Sequence, residues 1–341
     1  MRQLFYEGPS KLAWRDVPEP KLKADHEVIV APIAATTCDV DQAVILGFSP
    51  YEPPFSIGHE SVARVVEVGD DVHGLNVGDV VSVPYHRTCG ACAPCANRTP
   101  LHCEHKNLPD RIPSYGFPQA GEWGGMFSEK FRVPWGGHAL VKLPASIDPI
   151  AAVSLGDNLS DAWSATVPHL RDRPGGRVLI TSFGGYGLYA VQWAIAAGAS
   201  LVTYVDDNPS RLKLAEDLGA TPLAWAADLK TAEKYDVILN ARPGTEPLEF
   251  CLLSAAPGAF CTNMVIFFET VALPLGRMHY SGVTLLSTYN PTRLHMPEVV
   301  KALEAGLINP RAIESEIVDL DDVPERLAIP SHRPIVLFEK T

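Results

Sequence analysis

The sequence predicts an α/β protein in which a β-rich region is followed by a doubly wound parallel sheet. The chain has 341 residues, more than one hydrophobic core usually organises, so two domains are expected. Up to about residue 150, short β-like runs are separated by Gly and Pro turns. From about residue 160, apolar strands alternate with helices, which is typical of a parallel sheet covered by helices.

Each element follows from a local pattern of apolar residues bounded by turn residues. The β-rich region is expected to be antiparallel and barrel-like. The expected strands lie at residues 27–30, 61–68, 79–83, 177–181, 201–205, 235–239 and 334–338. The expected helices lie at residues 187–197, 210–218 and 297–305.

The composition excludes several partners. A formal net charge of -12 argues against nucleic acid, because phosphate binding needs clustered Lys and Arg. The N-terminus lacks the apolar core of a signal peptide, and polar residues interrupt the uncharged run at 188–205. We therefore expect a cytoplasmic protein with no membrane or nucleic-acid partner.

A Gly-rich turn between the strand at 177–181 and the next helix predicts a dinucleotide site. It has the pattern S-x-G-x-x-G, one glycine short of the full fingerprint. Small residues let the backbone approach a pyrophosphate, and the helix N-terminus favours its charge. Taken alone, such a turn is only a weak indication. Its residues are Ser182, Gly184, Gly185, Tyr186 and Gly187.

Asp206 strengthens this interpretation. It follows the strand at 201–205 and lies about 20 residues after Gly187, where a carboxylate can accept hydrogen bonds from ribose hydroxyls. The same charge, with Asp207 beside it, would repel the 2′-phosphate of NADP. The sequence therefore favours NAD, and the alternative for Asp206 is a solvated acid at a strand end.

A group of four cysteines predicts a metal-binding lobe. The spacing is C-x2-C-x2-C-x7-C, at Cys89, Cys92, Cys95 and Cys103. Four thiolates complete the tetrahedral coordination of zinc and leave no position open for chemistry. Iron–sulfur ligation is the competing interpretation, because cluster motifs also use closely spaced cysteines.

A second, dispersed group contains Cys38, His59, Glu60 and Asp157. One Cys, one His and one carboxylate can hold a zinc ion with a fourth position open to water or substrate. Spacing alone does not establish this site, since a single Cys or His is more often packed in a core.

Over nearly its whole length the chain resembles the medium-chain dehydrogenases/reductases, in the zinc alcohol dehydrogenase branch. The resemblance rests on motifs that occur in the family's order. They are Gly58-His59-Glu60, Gly69, Val77-Gly78-Asp79, the four-cysteine lobe, residues 124–129, the Gly-rich turn, Asp206 and Arg211-Leu212.

The resemblance implies an architecture and a set of cofactors. The expected fold is a GroES-like β-barrel catalytic domain, at residues 1–157 and 288–341, with a Rossmann domain inserted at 158–287. Two zinc ions per chain and NAD are the expected cofactors. Relatives form dimers and tetramers through the cofactor domain, so a homodimer or homotetramer is expected.

The resemblance also assigns roles to individual residues. It implies that Cys38, His59 and Asp157 bind the catalytic zinc and that Glu60 can exchange onto the metal. Asp41 corresponds to an acid that orients the zinc-bound His. Residues assigned to the cofactor are Asn208 and Arg211, near the adenosine ribose, and Arg333, at the pyrophosphate.

The chain departs from the family in its proton relay. Val40 replaces the usual Ser or Thr, and Ala43 replaces the usual His. Tyr85 and His86, which precede the lobe where the family lines its substrate pocket, are candidate replacement proton donors. A smaller departure is Ser182 in place of the first fingerprint glycine.

These observations predict reversible hydride transfer between NAD(H) and an alcohol, aldehyde or ketone of low molecular weight. An alternative is conjugate reduction of a C=C or imine bond, which does not need the missing relay. A third possibility, from another class, is an NAD-binding structural or sensing protein with little turnover. An intact second zinc site would argue against this third possibility.

Overall fold

This computed structural model describes residues 1–106, 113–313, 316–329 and 333–339. The chain divides into two compact units, one of residues 1–160 and 291–341 and the other of residues 161–290. The sequence-based boundaries, after residues 157 and 287, lie slightly before the observed ones. The first unit is therefore formed by two separate stretches of the chain.

The described residues form the following elements. The strands are β1 (Arg2–Gly8), β2 (Lys11–Asp16), β3 (Val28–Thr36), β4 (Phe55–Ser56), β5 (Glu60–Val68), β6 (Val80–Val83), β7 (Phe131–Val133), β8 (Val141–Lys142), β9 (Arg177–Thr181), β10 (Leu201–Asp206), β11 (Thr221–Ala224), β12 (Tyr235–Asn240), β13 (Ala255–Asn263), β14 (Thr284–Ser287), β15 (Ile317–Val318) and β16 (Ile335–Leu337). The helices are α1 (Asp39–Ile45), α2 (Ala93–Ala96), α3 (Gly136–Ala139), α4 (Asn158–Arg171), α5 (Tyr186–Ala196), α6 (Pro209–Asp217), α7 (Thr245–Leu253), α8 (Leu275–Ser281), α9 (Met296–Glu304) and α10 (Val323–Leu327).

The first unit contains two β-sheets. One has the order β2-β1-β4, and the other has the order β15-β16-β3-β5-β6-β8 with β7 also paired to β3. Apart from the β15–β16 pair, the pairings are antiparallel, as the alternation of short strands and turns predicted. Two large buried apolar clusters include residues of these sheets, and one of them contains Leu4, Tyr6, Val323 and Leu327.

The second unit is a six-stranded parallel sheet with the order β11-β10-β9-β12-β13-β14. The strands β10 and β11 lie on one side of β9, and β12, β13 and β14 lie on the other side. In such sheets a ligand binds where the strand order reverses, at the carboxyl ends of the strands. The prediction of a doubly wound parallel sheet is confirmed.

Several elements were absent from the sequence-based prediction, among them α4, α7, the β1–β2 hairpin, β13 and β14. The helix α4 contains Pro168, which weakens a helical pattern, and β13 begins with Ala255-Ala256-Pro257-Gly258, which lacks the β-branched residues of a typical strand. Packing in the folded chain outweighs these local preferences. Among the described residues, no helix has the length and apolar character needed to cross a bilayer.

Candidate active site and cofactor site

Strand pairing brings the first two predicted catalytic ligands together. Cys38 follows the end of β3 and caps the N-terminus of α1, and His59 directly precedes β5. The two strands are antiparallel, and Thr36 of β3 lies opposite Glu60 of β5. Residues just beyond this pair must therefore lie close together although they are distant in sequence.

The third predicted ligand, Asp157, comes from the segment before α4. The Cys38 Sγ lies 3.0 Å from His59 Nε2, which in turn lies 3.3 Å from Asp157 Oδ2. Cys38 and His59 are each 4% exposed. The structure thus places one sulfur, one imidazole nitrogen and one carboxylate oxygen around a common point.

Asp41 lies beside the imidazole of His59. Its Oδ1 lies 3.2 Å from His59 Nδ1, and its Oδ2 accepts a hydrogen bond of 3.1 Å from the backbone N–H of Cys38. The carboxylate of Asp41 is completely buried. A proton on Nδ1 facing Asp41 leaves the Nε2 lone pair directed at Cys38 and Asp157, as a metal ligand requires.

The chemistry of this donor set fits zinc. Burial raises the pKa of the Cys38 thiol to about 12, so the protein's own groups do not stabilise a thiolate there. A divalent cation would supply the missing positive charge and deprotonate the thiol. Cys, His and Asp donors with three protein ligands are a combination that suits a zinc site with an open position.

Glu60 is also close to these donor atoms, but it forms hydrogen bonds with Arg333 and Asn158. Both side chains donate hydrogen bonds to Glu60 Oε1, and Arg333 also donates to Ser154 Oγ at 3.1 Å. Burial raises the pKa of Glu60 to about 8, and the Arg333 charge opposes that rise. The guanidinium that the resemblance assigns to the cofactor pyrophosphate is therefore paired with a buried carboxylate in this structure.

A close backbone contact fixes the segment that carries Asp157. The carbonyl of Gly156 accepts hydrogen bonds from Tyr85 N at 3.1 Å and from Thr292 Oγ1 at 2.8 Å. A side chain at Gly156 would place its Cβ 1.9 Å from the carbonyl oxygen of Val83. Sequence reasoning missed Thr292 and Asn158, although Asn158 directly follows a predicted ligand.

The rings of His59, Tyr85 and His86 form two consecutive edge-to-face contacts. The ring centroids of His59 and Tyr85 are 6.3 Å apart, and those of Tyr85 and His86 are 4.7 Å apart. His86 is 1% exposed, and neither ring nitrogen has a hydrogen-bond partner among the described residues. Burial lowers its pKa to about 3, so the ring is neutral near pH 7. This favours Tyr85 over His86 as the proton donor.

Val40 leaves the usual relay position without a hydroxyl. Its side chain is 43% exposed, and its backbone N–H donates to Cys38 Sγ at 3.2 Å. The position therefore contributes a hydrogen bond to the sulfur through its main chain but has no side-chain group that could transfer a proton.

The four cysteines of the lobe converge as the spacing predicts. Cys89 Sγ lies 3.9 Å from Cys95 Sγ, and Cys92 Sγ lies 3.8 Å from Cys103 Sγ. Four sulfurs at ordinary zinc–sulfur distances form a tetrahedron with edges of about 3.8 Å. All four are free thiols, and the backbone N–H groups of Cys89 and Cys92 point at sulfur atoms. The group fits a structural zinc ion.

In the second unit, the Gly-rich turn connects β9 to α5 as predicted. A Cβ at Gly187 would lie 2.6 Å from Ser182 Cβ, so only glycine permits this approach of helix and strand. The Ser182 hydroxyl donates to the carbonyl of Gly184 at 3.2 Å. The serine therefore hydrogen-bonds within the turn, where the fingerprint usually has glycine.

The other predicted cofactor residues lie at the end of β10 and the start of α6. Asn208 caps α6, since its Oδ1 accepts from the N–H groups of Ser210 and Arg211 at 2.9 and 3.1 Å. Asp206 is completely buried and accepts hydrogen bonds from Arg211 and from Tyr204, which sequence reasoning missed. Tyr204 and Asp206 share a face of β10, because side chains two residues apart point the same way.

Comparisons with known proteins agree with this arrangement. The family model described as Alcohol dehydrogenase GroES-like domain matches residues 24–145, and Zinc-binding dehydrogenase matches residues 185–305. The chain belongs to the zinc-dependent alcohol dehydrogenase family of medium-chain dehydrogenases/reductases. It is an oxidoreductase that acts on CH–OH groups. The GroES-like and Rossmann assignments are confirmed, and zinc and a nicotinamide dinucleotide are the family's cofactors.

Individual relatives of this family cover most of the chain. A probable zinc-binding alcohol dehydrogenase of Mycobacterium tuberculosis is 28% identical over 96% of this chain and 85% of its own. A glutathione-independent formaldehyde dehydrogenase of Pseudomonas aeruginosa is 32% identical over 74% of this chain and 65% of its own. The solved alcohol dehydrogenase of Thermus sp. ATN1 is 28% identical, with a TM-score of 0.90 and 99% coverage of each chain. These relatives favour neither conjugate reduction nor a purely structural role.

Proposed function

We propose that the protein interconverts an alcohol and an aldehyde or ketone, using NAD(H) and a catalytic zinc ion. The observation that carries this proposal is the convergence of Cys38, His59 and Asp157. The Cys38 Sγ lies 3.0 Å from His59 Nε2, and Asp157 Oδ2 lies 3.3 Å from the same nitrogen. A structural lobe alone would need no such second group. Three protein ligands leave one coordination position for the substrate oxygen.

The cofactors supply the chemistry that side chains lack. Zinc on Cys38, His59 and Asp157 would act as a Lewis acid toward the substrate oxygen, and the nicotinamide would exchange a hydride with the substrate carbon. The second unit would hold the pyrophosphate at the Ser182–Gly187 turn, where α5 presents its N-terminal N–H groups.

The chain's own residues orient the reacting groups and move the proton. Asp41 keeps the His59 tautomer that presents Nε2, and the Gly156 carbonyl contacts fix the Asp157 segment. Tyr85 packs against the His59 ring and carries the hydroxyl that we assign as the proton donor. Val40 cannot perform this step because it has no hydroxyl.

The test combines metal analysis with turnover. We expect two zinc ions per purified chain and reduction of NAD when a panel of alcohols is supplied, with the matching aldehyde or ketone as product. An unsaturated aldehyde with NADH should give the allylic alcohol. A saturated aldehyde as the product, or one zinc per chain without turnover, would contradict the proposal.

We also propose that two copies associate through the edge of the second unit's sheet. Within the described residues, β14 pairs with β13 alone and leaves its other edge unpaired. Several nearby apolar side chains are exposed, namely Phe268, Leu275, Tyr280 and Leu286. A second β14 would satisfy the backbone groups and cover these side chains. Light scattering should give a dimer or a multiple of it, and a monomer would refute this arrangement.

A further inference from the structure

The first unit contains a partly open cavity of about 480 Å³. Pockets that bind small molecules usually measure about 300–1,000 Å³. The described residues that line the cavity include Arg87, Gln119, Trp123 and Trp135, and none of the proposed zinc ligands is among them. The cavity is therefore large enough for a small molecule, and its lining is distinct from both candidate zinc sites.

Arg87 is a buried cation in the lining of this cavity. Its exposed fraction is 5%, and its Nη1 donates a hydrogen bond of 2.7 Å to the carbonyl oxygen of Ser114. Its guanidinium lies 5.2 Å from the centroid of the Tyr115 ring and 5.7 Å from that of Trp123. Among the described residues, no carboxylate forms an ion pair with Arg87. Because a guanidinium has five N–H donors, most of them remain available for a ligand.

The neighbouring Arg132 shows how the chain otherwise treats a buried arginine. It is also 5% exposed, and its guanidinium also lies over the Trp123 ring, at 4.2 Å from the centroid. Its nitrogens lie 3.2 Å from Glu27 Oε1 and 3.3 Å from Glu122 Oε2. Burying a charge is costly unless an opposite charge accompanies it. Arg132 has two such partners within the chain, so the counter-charge that Arg87 lacks is expected to come from a ligand.

Gln119 offers a second polar group to the same cavity. Its Nε2 donates to Ser114 Oγ at 3.3 Å, and its buried Oε1 has no hydrogen-bond partner among the described residues. If the amide turns by 180°, the Ser114 hydroxyl can donate to Oε1 instead, and Nε2 becomes free to donate to a ligand. Gln119 can therefore supplement Arg87 as a donor to an anion.

The rest of the lining limits the charge and shape of that anion. Trp123 and Trp135 contribute indole rings, and Trp135 stacks on the ring of His26 at a centroid distance of 5.4 Å. Glu104 and Glu122 also line the cavity. These carboxylates repel a phosphate that carries two negative charges, whereas one unpaired guanidinium balances one negative charge. The cavity thus favours a single carboxylate attached to a flat apolar group.

We propose that this cavity is an accessory binding site for an aromatic monocarboxylate. The carboxylate pairs with the Arg87 guanidinium, whose planar donors match its two oxygens, and the aromatic group contacts Trp123 and Trp135. The site is separate from the proposed hydride transfer, because no step of that reaction uses these residues.

The experiment measures binding of benzoate to the full-length, zinc-loaded protein by isothermal titration calorimetry at low ionic strength. We expect Arg87→Gln to weaken binding by about tenfold or more, because a charged hydrogen-bonding partner of the carboxylate is lost. Arg171→Gln is a matched control, because the Arg171 guanidinium also lies over an indole ring, that of Trp163, at 5.4 Å. It should leave the affinity unchanged.

A second variant tests the charge of the cavity without removing a buried group. The side chain of Glu122 is 56% exposed, so Glu122→Gln should fold normally. It should bind benzoate about two- to threefold more tightly, because a like charge near the ligand is removed. Acetate, which has the carboxylate but no ring, should bind wild type about tenfold more weakly than benzoate. Inorganic phosphate should also bind more weakly than benzoate.

A carboxylate could instead bind at the open position of the proposed catalytic zinc. Cys38→Ser separates the two sites, and it should bind benzoate with the affinity of wild type. Loss of binding in Cys38→Ser, or unchanged binding in Arg87→Gln, would place the ligand elsewhere and overturn the proposal. Failure of wild type to bind benzoate, or tighter binding of phosphate, would overturn it as well. The proposed alcohol oxidation stands in each of these cases.

Discussion

The two cysteine-containing candidate metal sites of the first unit are built in opposite ways. The lobe takes its four sulfurs from a single stretch of chain, Cys89 to Cys103, and includes the half-buried Cys92. The proposed catalytic group takes Cys38, His59 and Asp157 from three segments that are far apart in sequence, and its first two members are almost completely buried. One site is local and chemically uniform, and the other is dispersed and chemically mixed.

This difference shows how each site obtains its geometry. Short loops between the lobe cysteines cost little entropy to close, and the metal itself can order them. The dispersed site depends on pairing of β3 with β5 and on the Gly156 contacts, so its geometry exists only in the folded unit. We therefore expect loss of a lobe ligand to affect stability and loss of a dispersed ligand to affect activity.

The largest expected effect is at the dispersed site. Cys38→Ser should remove one zinc per chain and lower kcat/KM by about 10³-fold or more, because Lewis-acid stabilisation amounts to several kcal/mol. The unfolding temperature should change little. Metal analysis, kinetics and a thermal melt on one preparation measure all three. Cys261→Ala, a buried thiol in the other unit, is the control and should keep two zinc ions. Retained turnover in Cys38→Ser would contradict the assignment.

The lobe should respond in the converse way. Cys103→Ser should also remove one zinc per chain, but it should lower the free energy of unfolding by about 4 kcal/mol, or the melting temperature by roughly 10 °C. The kcat/KM of the folded fraction should stay within about threefold of wild type, since a closed four-thiolate site takes no part in chemistry. If Cys103→Ser loses activity but not stability, the lobe does not have the purely structural role that distinguishes it from the dispersed site.

A smaller effect is expected at Asp41, which contacts the proposed zinc ligand His59 and not the metal itself. Asp41→Asn preserves the shape of the side chain but removes the charge that fixes the His59 tautomer. Zinc affinity at the dispersed site, measured by competition with a chelator, should fall by about 10- to 100-fold. The lobe zinc should be unaffected. Unchanged affinity at the dispersed site would show that β3–β5 pairing alone orients the imidazole.

The smallest effect is expected at His86. Burial holds its pKa at about 3, below the ordinary value of 6.5, so the ring does not change charge between pH 5 and 9. His86→Asn should therefore leave the shape of the pH–rate profile unchanged, whereas Tyr85→Phe should lower kcat by about 10²-fold. If His86→Asn removes the acidic or the basic inflection of the pH–rate profile, His86 and not Tyr85 is the proton donor.

Much of the fold could be predicted from the sequence. The strands at 177–181, 201–205 and 235–239 lie within one residue of β9, β10 and β12, because continuous apolar runs bounded by turns leave few alternatives. The helix α4 and the strands β13 and β14 were missed. Their sequences carry Pro, Gly or mixed polarity, and packing against neighbouring elements decides their conformation.

The candidate sites also differ in how far the sequence could predict them, because some are local and one is formed by residues far apart in the chain. The lobe and the Gly-rich turn could be found by spacing, and Cys38, His59 and Asp157 were grouped mainly through a family resemblance. The structure brings these three donors together and adds Asn158 and Thr292. It also pairs Arg333 with Glu60, two residues 273 positions apart, which no local pattern could indicate.

The sequence by itself determined the lobe, the positions along the chain of three strands of the parallel sheet and the place of Asp206 at a strand end. Each depends on residues close together in the chain, where spacing and period constrain geometry. Only the tertiary structure decided that the Asp206 carboxylate turns inward to Tyr204 and Arg211 while Asp207 faces solvent and Arg242. That choice depends on burial and on a guanidinium that follows another strand, and such long-range contacts are defined by packing.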